Sequence, residues 1–296
     1  MTPRRIALFA LIAAVLAGAA ALLFWLQSPA EPSRPLAKLK ASDLARIELD
    51  YNGSHIALEK TAGRWRLTAP VADEAEDEAA SGLARGLHDL ARGSEVSREP
   101  SSYADYELNE SSAVRVRVYS RTSAAPVLDG YFGNPAMANA VYFRPSGEAA
   151  VYLVEGVEPS ALRRNADELR GKALVSISVG DLAALKFGGA GGFSLIRSSD
   201  TWAASGRKLT ANQAAEIVLS VTSLRFIGFL PGDTPANKTG FAAPALDLTA
   251  TGAGRSERVL IGRENAGRRY AKAEARAAQG TVSKPDVDAL LKLLRR

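Results

Sequence analysis

Beyond residue 40 the chain is written twice, and this constrains the fold more than any other feature. Asp43-Leu44-Ala45-Arg46-Ile47 is matched by Asp181-Leu182-Ala183-Ala184-Leu185, and Ile56-Ala57-Leu58-Glu59-Lys60 by Phe193-Ser194-Leu195-Ile196-Arg197. Gly63-Arg64-Trp65 is matched by Asp200-Thr201-Trp202. A helical segment follows each tryptophan, then Tyr106-Glu107-Leu108 in the first copy and Gly240-Phe241-Ala242 in the second. Alternating segments close both copies: Tyr131-Phe132-Gly133 corresponds to Leu260-Ile261-Gly262, and Val141-Tyr142-Phe143-Arg144 to Arg269-Tyr270-Ala271-Lys272. Trp65, Trp202, Tyr106 and Phe241 mark the repeat.

The periodicities predict what each copy contains. Leu44 to Tyr51 alternates, Asn52-Gly53 is a hairpin turn, and Ser54 to Lys60 returns. Ala62-Gly63 turns again into Arg64 to Thr68, with Trp65 and Leu67 on the buried face and Arg64 and Arg66 on the other. Asp73 is expected to cap a helix from about Glu74 to Ala91, with Leu83, Leu87 and Leu90 as its apolar stripe. Four further strands are expected between Ser112 and Val154. In the second copy Thr210 caps a helix reaching about Leu224. Ser283-Lys284-Pro285 opens a last helix whose Val287, Leu290, Leu291 and Leu294 dock on the body. The fold class is α+β: an N-terminal transmembrane helix, then two tandem repeats of antiparallel sheet plus helix.

The transmembrane expectation rests on Ile6 to Leu26, 21 residues without a charge. At about 1.5 Å per residue it spans a bilayer core. Arg4 and Arg5 precede it and Phe24 and Trp25 close it, which places the N-terminus inside and the body outside. A cleaved signal peptide fits less well, because the run is long and Ser28-Pro29-Ala30 carries a proline in the cleavage site. The expected organisation is a cytoplasmic N-terminus (1–5), a transmembrane helix (6–26), a Pro-rich linker (27–40), a first repeat (41–158), a helical linker (159–176) and a second repeat (177–296). Pro29, Pro32 and Pro35 favour an extended spacer.

The anchor, the strand beginning Asp43-Leu44, the Gly63-Arg64-Trp65-Arg66-Leu67 strand, Tyr106-Glu107-Leu108 and the strand at Tyr142-Phe143-Arg144 together resemble the domain of unknown function 4340 family. In that family the central element is typically tyrosine-glycine-leucine. Glu107 stands where the glycine is expected. The resemblance covers roughly Leu39 to the C-terminus. It implies a bacterial envelope protein, of a kind whose genes often accompany those for an ABC-type export permease, its ATPase and a gliding-motility auxiliary protein. It implies no catalytic residue.

The residues themselves point away from chemistry. There is no cysteine, so neither disulfides nor thiolate metal sites are available. His55 and His88 lack a second histidine as a metal partner, and no Gly-x-Ser-x-Gly elbow is present. Lys186 to Phe193 is glycine-rich but is not followed by the lysine and hydroxyl residue of a phosphate loop, and the repeat makes it a hairpin turn. Asp73 to Glu78 has five carboxylates without calcium-loop spacing and reads as a helix first turn. No catalytic, cofactor-binding or metal residue is therefore expected.

A net charge of +5 is too small to argue for nucleic acid. The concentrated feature is basic: Arg255, Arg258, Arg263, Arg268, Arg269, Lys272 and Arg276. On strands, alternation puts several on one face, where a solvated surface or a contact with an acidic partner or anionic lipid is expected. The expected function is a non-enzymatic accessory subunit of an envelope ABC-type transport complex. The alternative is a binding module for a lipid, glycan or peptide, with a pocket between the copies.

Overall fold

The computed structural model describes residues 34–35, 41–136, 140–189, 192–231 and 234–295. The expected cytoplasmic N-terminus and the transmembrane helix (6–26) lie outside the described residues, as does the 27–40 linker apart from Arg34 and Pro35. Among the described residues no helix is long and apolar enough to cross a membrane.

The first half supplies β1 (Arg34–Pro35), β2 (Leu44–Tyr51), β3 (Ser54–Thr61), β4 (Arg64–Ala69) and β5 (Asp73–Glu74). Helix α1 (Asp77–His88) precedes β6 (Ala91–Ser97), β7 (Val114–Ser120), β8 (Leu128–Pro135), β9 (Ala140–Pro145) and β10 (Val151–Glu155). Two short helices follow, α2 (Pro159–Leu162) and α3 (Ala166–Leu169). The second half supplies β11 (Leu182–Phe187), β12 (Ser194–Ser198), β13 (Thr201–Ser205), α4 (Ala211–Thr222) and β14 (Phe226–Phe229). It ends with α5 (Ala236–Thr239), β15 (Leu246–Gly252), β16 (Arg255–Asn265), β17 (Arg268–Ala273), β18 (Ala278–Ser283) and α6 (Lys284–Leu293).

These strands form two antiparallel sheets. The first has the order β1-β6-β10-β9-β8-β7-β2-β3-β4-β5 and the second β14-β18-β17-β16-β15-β11-β12-β13. With β1 and β5 set aside, the two orders are the same permutation. Each copy opens on a meander of three strands, inserts a helix, and pairs its first strand with the strand that starts the closing meander. Pairing repeats at residue level: Lys60 faces Trp65 in one copy and Arg197 faces Trp202 in the other.

Two compact units emerge from the chain. One contains Leu49–Gly53, Leu83–Arg163 and the described residues up to Leu44. The other contains Ala45–Glu48, Ser54–Gly82 and Arg164–Arg296. In the first, Val114, Val116 and Val118 are buried in strict alternation along β7. In the second, Ala214, Ile217, Val218 and Val221 of α4 and Val287 and Leu290 of α6 join a core with Leu185, Leu195, Leu248 and Ile261. The C-terminal helix therefore docks on its own unit. Trp65 is 4% exposed and Trp202 packs half-buried against the second core, so both indoles are packing groups.

Three local expectations are corrected. The first helix begins at Asp77, not near Glu74, and Asp73-Glu74 is a strand. The 159–176 linker is not one helix: Asn165 starts α3 with a capping box, its side chain accepting from the Glu168 amide while Glu168 accepts from the Asn165 amide, and no helix continues past Leu169. Strand β6, Ala-Arg-Gly-Ser-Glu-Val-Ser, is largely exposed and has no apolar alternation, so periodicity is blind to it.

The elements at Tyr106-Glu107-Leu108 and Gly240-Phe241-Ala242 share a geometry, one residue out of the expected register. The Tyr106 carbonyl accepts from the Asn134 amide and lies directly over Gly133. The Thr239 carbonyl lies over Gly262 in the same way. Tyr106 thus corresponds to Thr239, Glu107 to Gly240 and Leu108 to Phe241. Both glycines sit at register shifts, between Phe132 and Pro135 in β8 and between Ile261 and Glu264 in β16.

Gly240 has φ +75° and Glu107 φ +53°, so Glu107 occupies the left-handed region at the position that Gly240 holds in the second copy. Its carboxylate offsets part of that strain by accepting from Arg163 at 3.1 Å. Glu107→Gly is expected to leave stability within about 1 kcal/mol, the relieved strain balancing a lost surface pair. A thermal melt of the variant checks this.

Candidate functional site

The acidic run is where the structure departs most from the sequence expectation. Only Asp77 and Glu78 stand in the first turn of a helix. Asp73 and Glu74 are pulled out as a strand, Leu67 facing Asp73 and Arg66 facing Glu74. The Glu74 carbonyl takes the Gly171 amide at 2.7 Å, and the Glu76 amide donates to the Leu169 carbonyl at 2.8 Å. Long-range pairing overrides local helix preference here.

Asp73 is buried, its side chain 1% exposed. It accepts from Arg170 Nε at 3.0 Å, Arg276 Nε at 2.8 Å and the Glu74 amide at 2.8 Å. Arg276, 6% exposed, also donates to the Ala173 carbonyl at 2.8 Å and the Gly171 carbonyl at 2.6 Å. The Arg170 guanidinium lies 3.7 Å from the Phe229 ring centroid. Two more carboxylates fix the same segment. Glu76 accepts from Arg225 at 2.7 Å and from the Lys172 amide at 3.0 Å. Buried Glu257 accepts from the Ser176 amide at 2.7 Å and hydroxyl at 2.6 Å, with Arg255 Nε at 3.1 Å. Residues 170–178 thus run irregularly yet are held by charge-assisted bonds.

This segment forms one wall of a cleft of about 1160 Å³ inside the second unit. The other walls are Thr61 to Arg66, Glu74 to Asp77, Leu219 to Arg225, Arg255 and Arg276. First-copy and second-copy residues meet there. Buried Val175 and Ile177 line it, and so do Val179 and Leu219, which are 43% and 61% exposed. Six basic side chains line it: Arg64, Arg66, Lys172, Arg225, Arg255 and Arg276.

Three of these residues, Arg64, Arg66 and Arg255, are those whose strand positions predict a face turned to solvent or a partner. Arg276, grouped with the basic strands, is a buried strut. Lys172, Arg225, Val179 and Leu219 went unnoticed. One signal was legible: Leu219 falls off the α4 stripe of Ala214, Ile217, Val218 and Val221.

The family model described as domain of unknown function (DUF4340) matches residues 65–244, more than half of the 296 residues. The chain belongs to the DUF4340 family. No curated protein and no solved structure matches it. The DUF4340 match opens on Trp65 in β4 and ends at Pro244, ahead of β15. It takes in most of the cleft wall and stops short of Arg255 and Arg276.

The basic strands of this DUF4340 chain are mostly paired internally. Arg258 donates to Asp247 at 2.8 Å and lies 3.4 Å from Glu274, which also faces Lys272 at 3.4 Å. Arg269 reaches Asp288 at 3.0 Å. Arg263 donates to the Lys238 and Asn237 carbonyls. Arg268 is exposed at the start of β17. Of the basic residues grouped on these strands, Arg255 and Arg276 border the cleft.

His88 Nδ1 lies 2.7 Å from Asp89, exposed on the end of α1. The glycine-rich loop joins β11 to β12, with the Phe187 amide donating to the Phe193 carbonyl at 2.9 Å. Among the described residues no group of three potential metal ligands is found.

The Arg258 hydrogen bond holds the Asp247 carboxyl below its ordinary value of 3.8, against an opposing effect of burial. A depressed carboxyl contributes stability above its unfolded value and loses it as pH falls through the folded one. The stability gap between wild type and Arg258→Gln is expected to be full at neutral pH and to close below about pH 3.8. Unfolding curves from pH 6 to about 2.5 check this.

Proposed function

We propose that this DUF4340 protein is a non-enzymatic, membrane-anchored accessory subunit of the bacterial envelope. Its body lies in the periplasm and acts by contact within an ABC-type transport assembly, beside a permease or an auxiliary membrane subunit. The cleft carries the reading: a fixed, basic-rimmed groove with exposed apolar side chains suits holding a partner. Its carboxylates Glu74 and Glu76 serve as struts within the wall. The charge-free run Ile6 to Leu26 and the arginines before it support the anchor and its orientation.

The test is purification of the tagged full chain from detergent-solubilised membranes. A permease or its ATPase is expected to come with it in stoichiometric amount. A lone monomer in each of several mild detergents would overturn the reading. A second reading, a binding module for an envelope lipid, glycan or peptide, is favoured by the volume of the same cleft. It predicts a small ligand retained by the purified lone protein, which native mass spectrometry detects.

A further inference from the structure

We propose that the cleft receives an acidic peptide segment with interleaved apolar side chains, donated by a partner protein. The inference rests on the contact-based function above and names the chemistry of the contact.

Charge is the first argument. Arg276 is consumed by Asp73, Arg225 by Glu76 and Arg255 by Glu257. Among the described residues Arg64, Arg66 and Lys172 enter no ion pair. Arg64 and Arg66 occupy alternate positions of β4, both exposed, so their side chains leave the same face roughly 7 Å apart. That spacing matches alternate residues of an extended segment. Lys172 stands on another wall of the same cleft. The six basic side chains outnumber the lining carboxylates Glu74, Glu76 and Asp77, so the lining is net positive, which is the complement of a carboxylate-bearing partner.

The apolar side chains are the second argument. Leu219 and Val179 are exposed large hydrophobic residues at this groove. Leu219 keeps apolar area in water in the free protein that a partner would cover. A wholly ionic ligand would leave both uncovered.

The lining decides between peptide and lipid. Basic side chains and the hydroxyl residues Ser176, Ser178, Ser220 and Ser223 share it with the apolar ones, a mixture that suits the alternating polar and apolar groups of a peptide better than an acyl chain. Rim arginines then steer the encounter and the apolar pair slows release.

The test uses the detergent-solubilised full chain and a fluorescein-labelled peptide alternating glutamate with leucine and phenylalanine. Anisotropy is expected to report binding that weakens with salt and is absent for the lysine version of the peptide. The triple substitution R64E/R66E/K172E is expected to weaken binding by more than about tenfold. Leu219→Glu is expected to weaken it as well, and since Leu219 is exposed this variant folds even if the triple one does not. Unchanged affinity in both variants would overturn the proposal. So would binding to equimolar phosphatidylglycerol–phosphatidylcholine vesicles, lost in Leu219→Glu, with no binding to the peptide.

A photo-crosslinking residue at Leu219 or at exposed Ile227, used in intact membranes, separates this inference from the function beneath it. Capture of a transport subunit through Leu219 supports both. Capture through Ile227 alone overturns the cleft assignment and leaves the accessory role standing. Capture from neither position, with no co-purifying subunit, overturns both.

Discussion

Asp73→Ala is expected to lower the unfolding free energy by roughly 3 to 5 kcal/mol. The loss comes less from the missing contacts than from what remains. Arg276 and Arg170 are 6% and 11% exposed and would keep their charge without the carboxylate between them. Each would be left with one longer contact, Arg170 with Asp167 at 3.5 Å and Arg276 with Glu74 at 4.0 Å, and Arg276 is held in place by the Ala173 and Gly171 carbonyls. Asp73→Asn keeps the shape and removes the charge, so it should fall between wild type and alanine. Arg276→Ala should cost a similar amount, and the double variant less than the sum, since both act on one network. Urea unfolding of the full chain in detergent, followed by tryptophan fluorescence, measures all four. A loss under about 1 kcal/mol for Asp73→Ala would mean the cluster is hydrated.

Gly133→Ala and Gly262→Ala are each expected to cost about 3 kcal/mol or more. A β-carbon at Gly133 would sit 1.9 Å from the Tyr106 carbonyl oxygen, and at Gly262 1.9 Å from that of Thr239, far inside van der Waals contact. These obstacles are backbone atoms, so no rotamer change relieves them. The carbonyl must retreat, and at Gly133 the bond it accepts from the Asn134 amide goes with it. Gly82→Ala is the control. Gly82 lies within α1 with nothing within 4 Å of an added β-carbon, and the change should stabilise by about 0.5 to 1 kcal/mol. Equal melting temperatures for wild type and Gly133→Ala would show that the motif does not clamp the strand.

These two devices were unequally visible in the sequence. Tyr131-Phe132-Gly133 and Leu260-Ile261-Gly262 could be paired by inspection, because strands and turns leave local marks. So do the hairpins Asn52-Gly53 and Ala62-Gly63, whose four central residues all have positive φ. The motif register was misplaced by one because conformation, not residue type, is what Glu107 shares with Gly240. The Asp73 cluster was illegible. Its partners lie 97 and 203 positions away, and a carboxylate that caps a helix looks the same in sequence as one buried between arginines. Apart from Leu219, the cleft left no local mark in the sequence. Its floor comes from residues 170–178, whose irregular path follows no period.

The shared strand permutation sets an order of events for a growing chain. In the second copy β11 is made early and pairs at once with β12, its neighbour in sequence. Its other edge is satisfied only by β15, which begins at Leu246. More than sixty residues must emerge before that edge closes, roughly three to twelve seconds of synthesis at common elongation rates. Throughout that interval a central strand behaves as an open edge, the geometry that recruits foreign strands. Chains ending just after Thr239 are expected to aggregate where the full chain does not, and light scattering during refolding would reveal it. A protein built this way needs custody while it is being made, whatever it does afterwards.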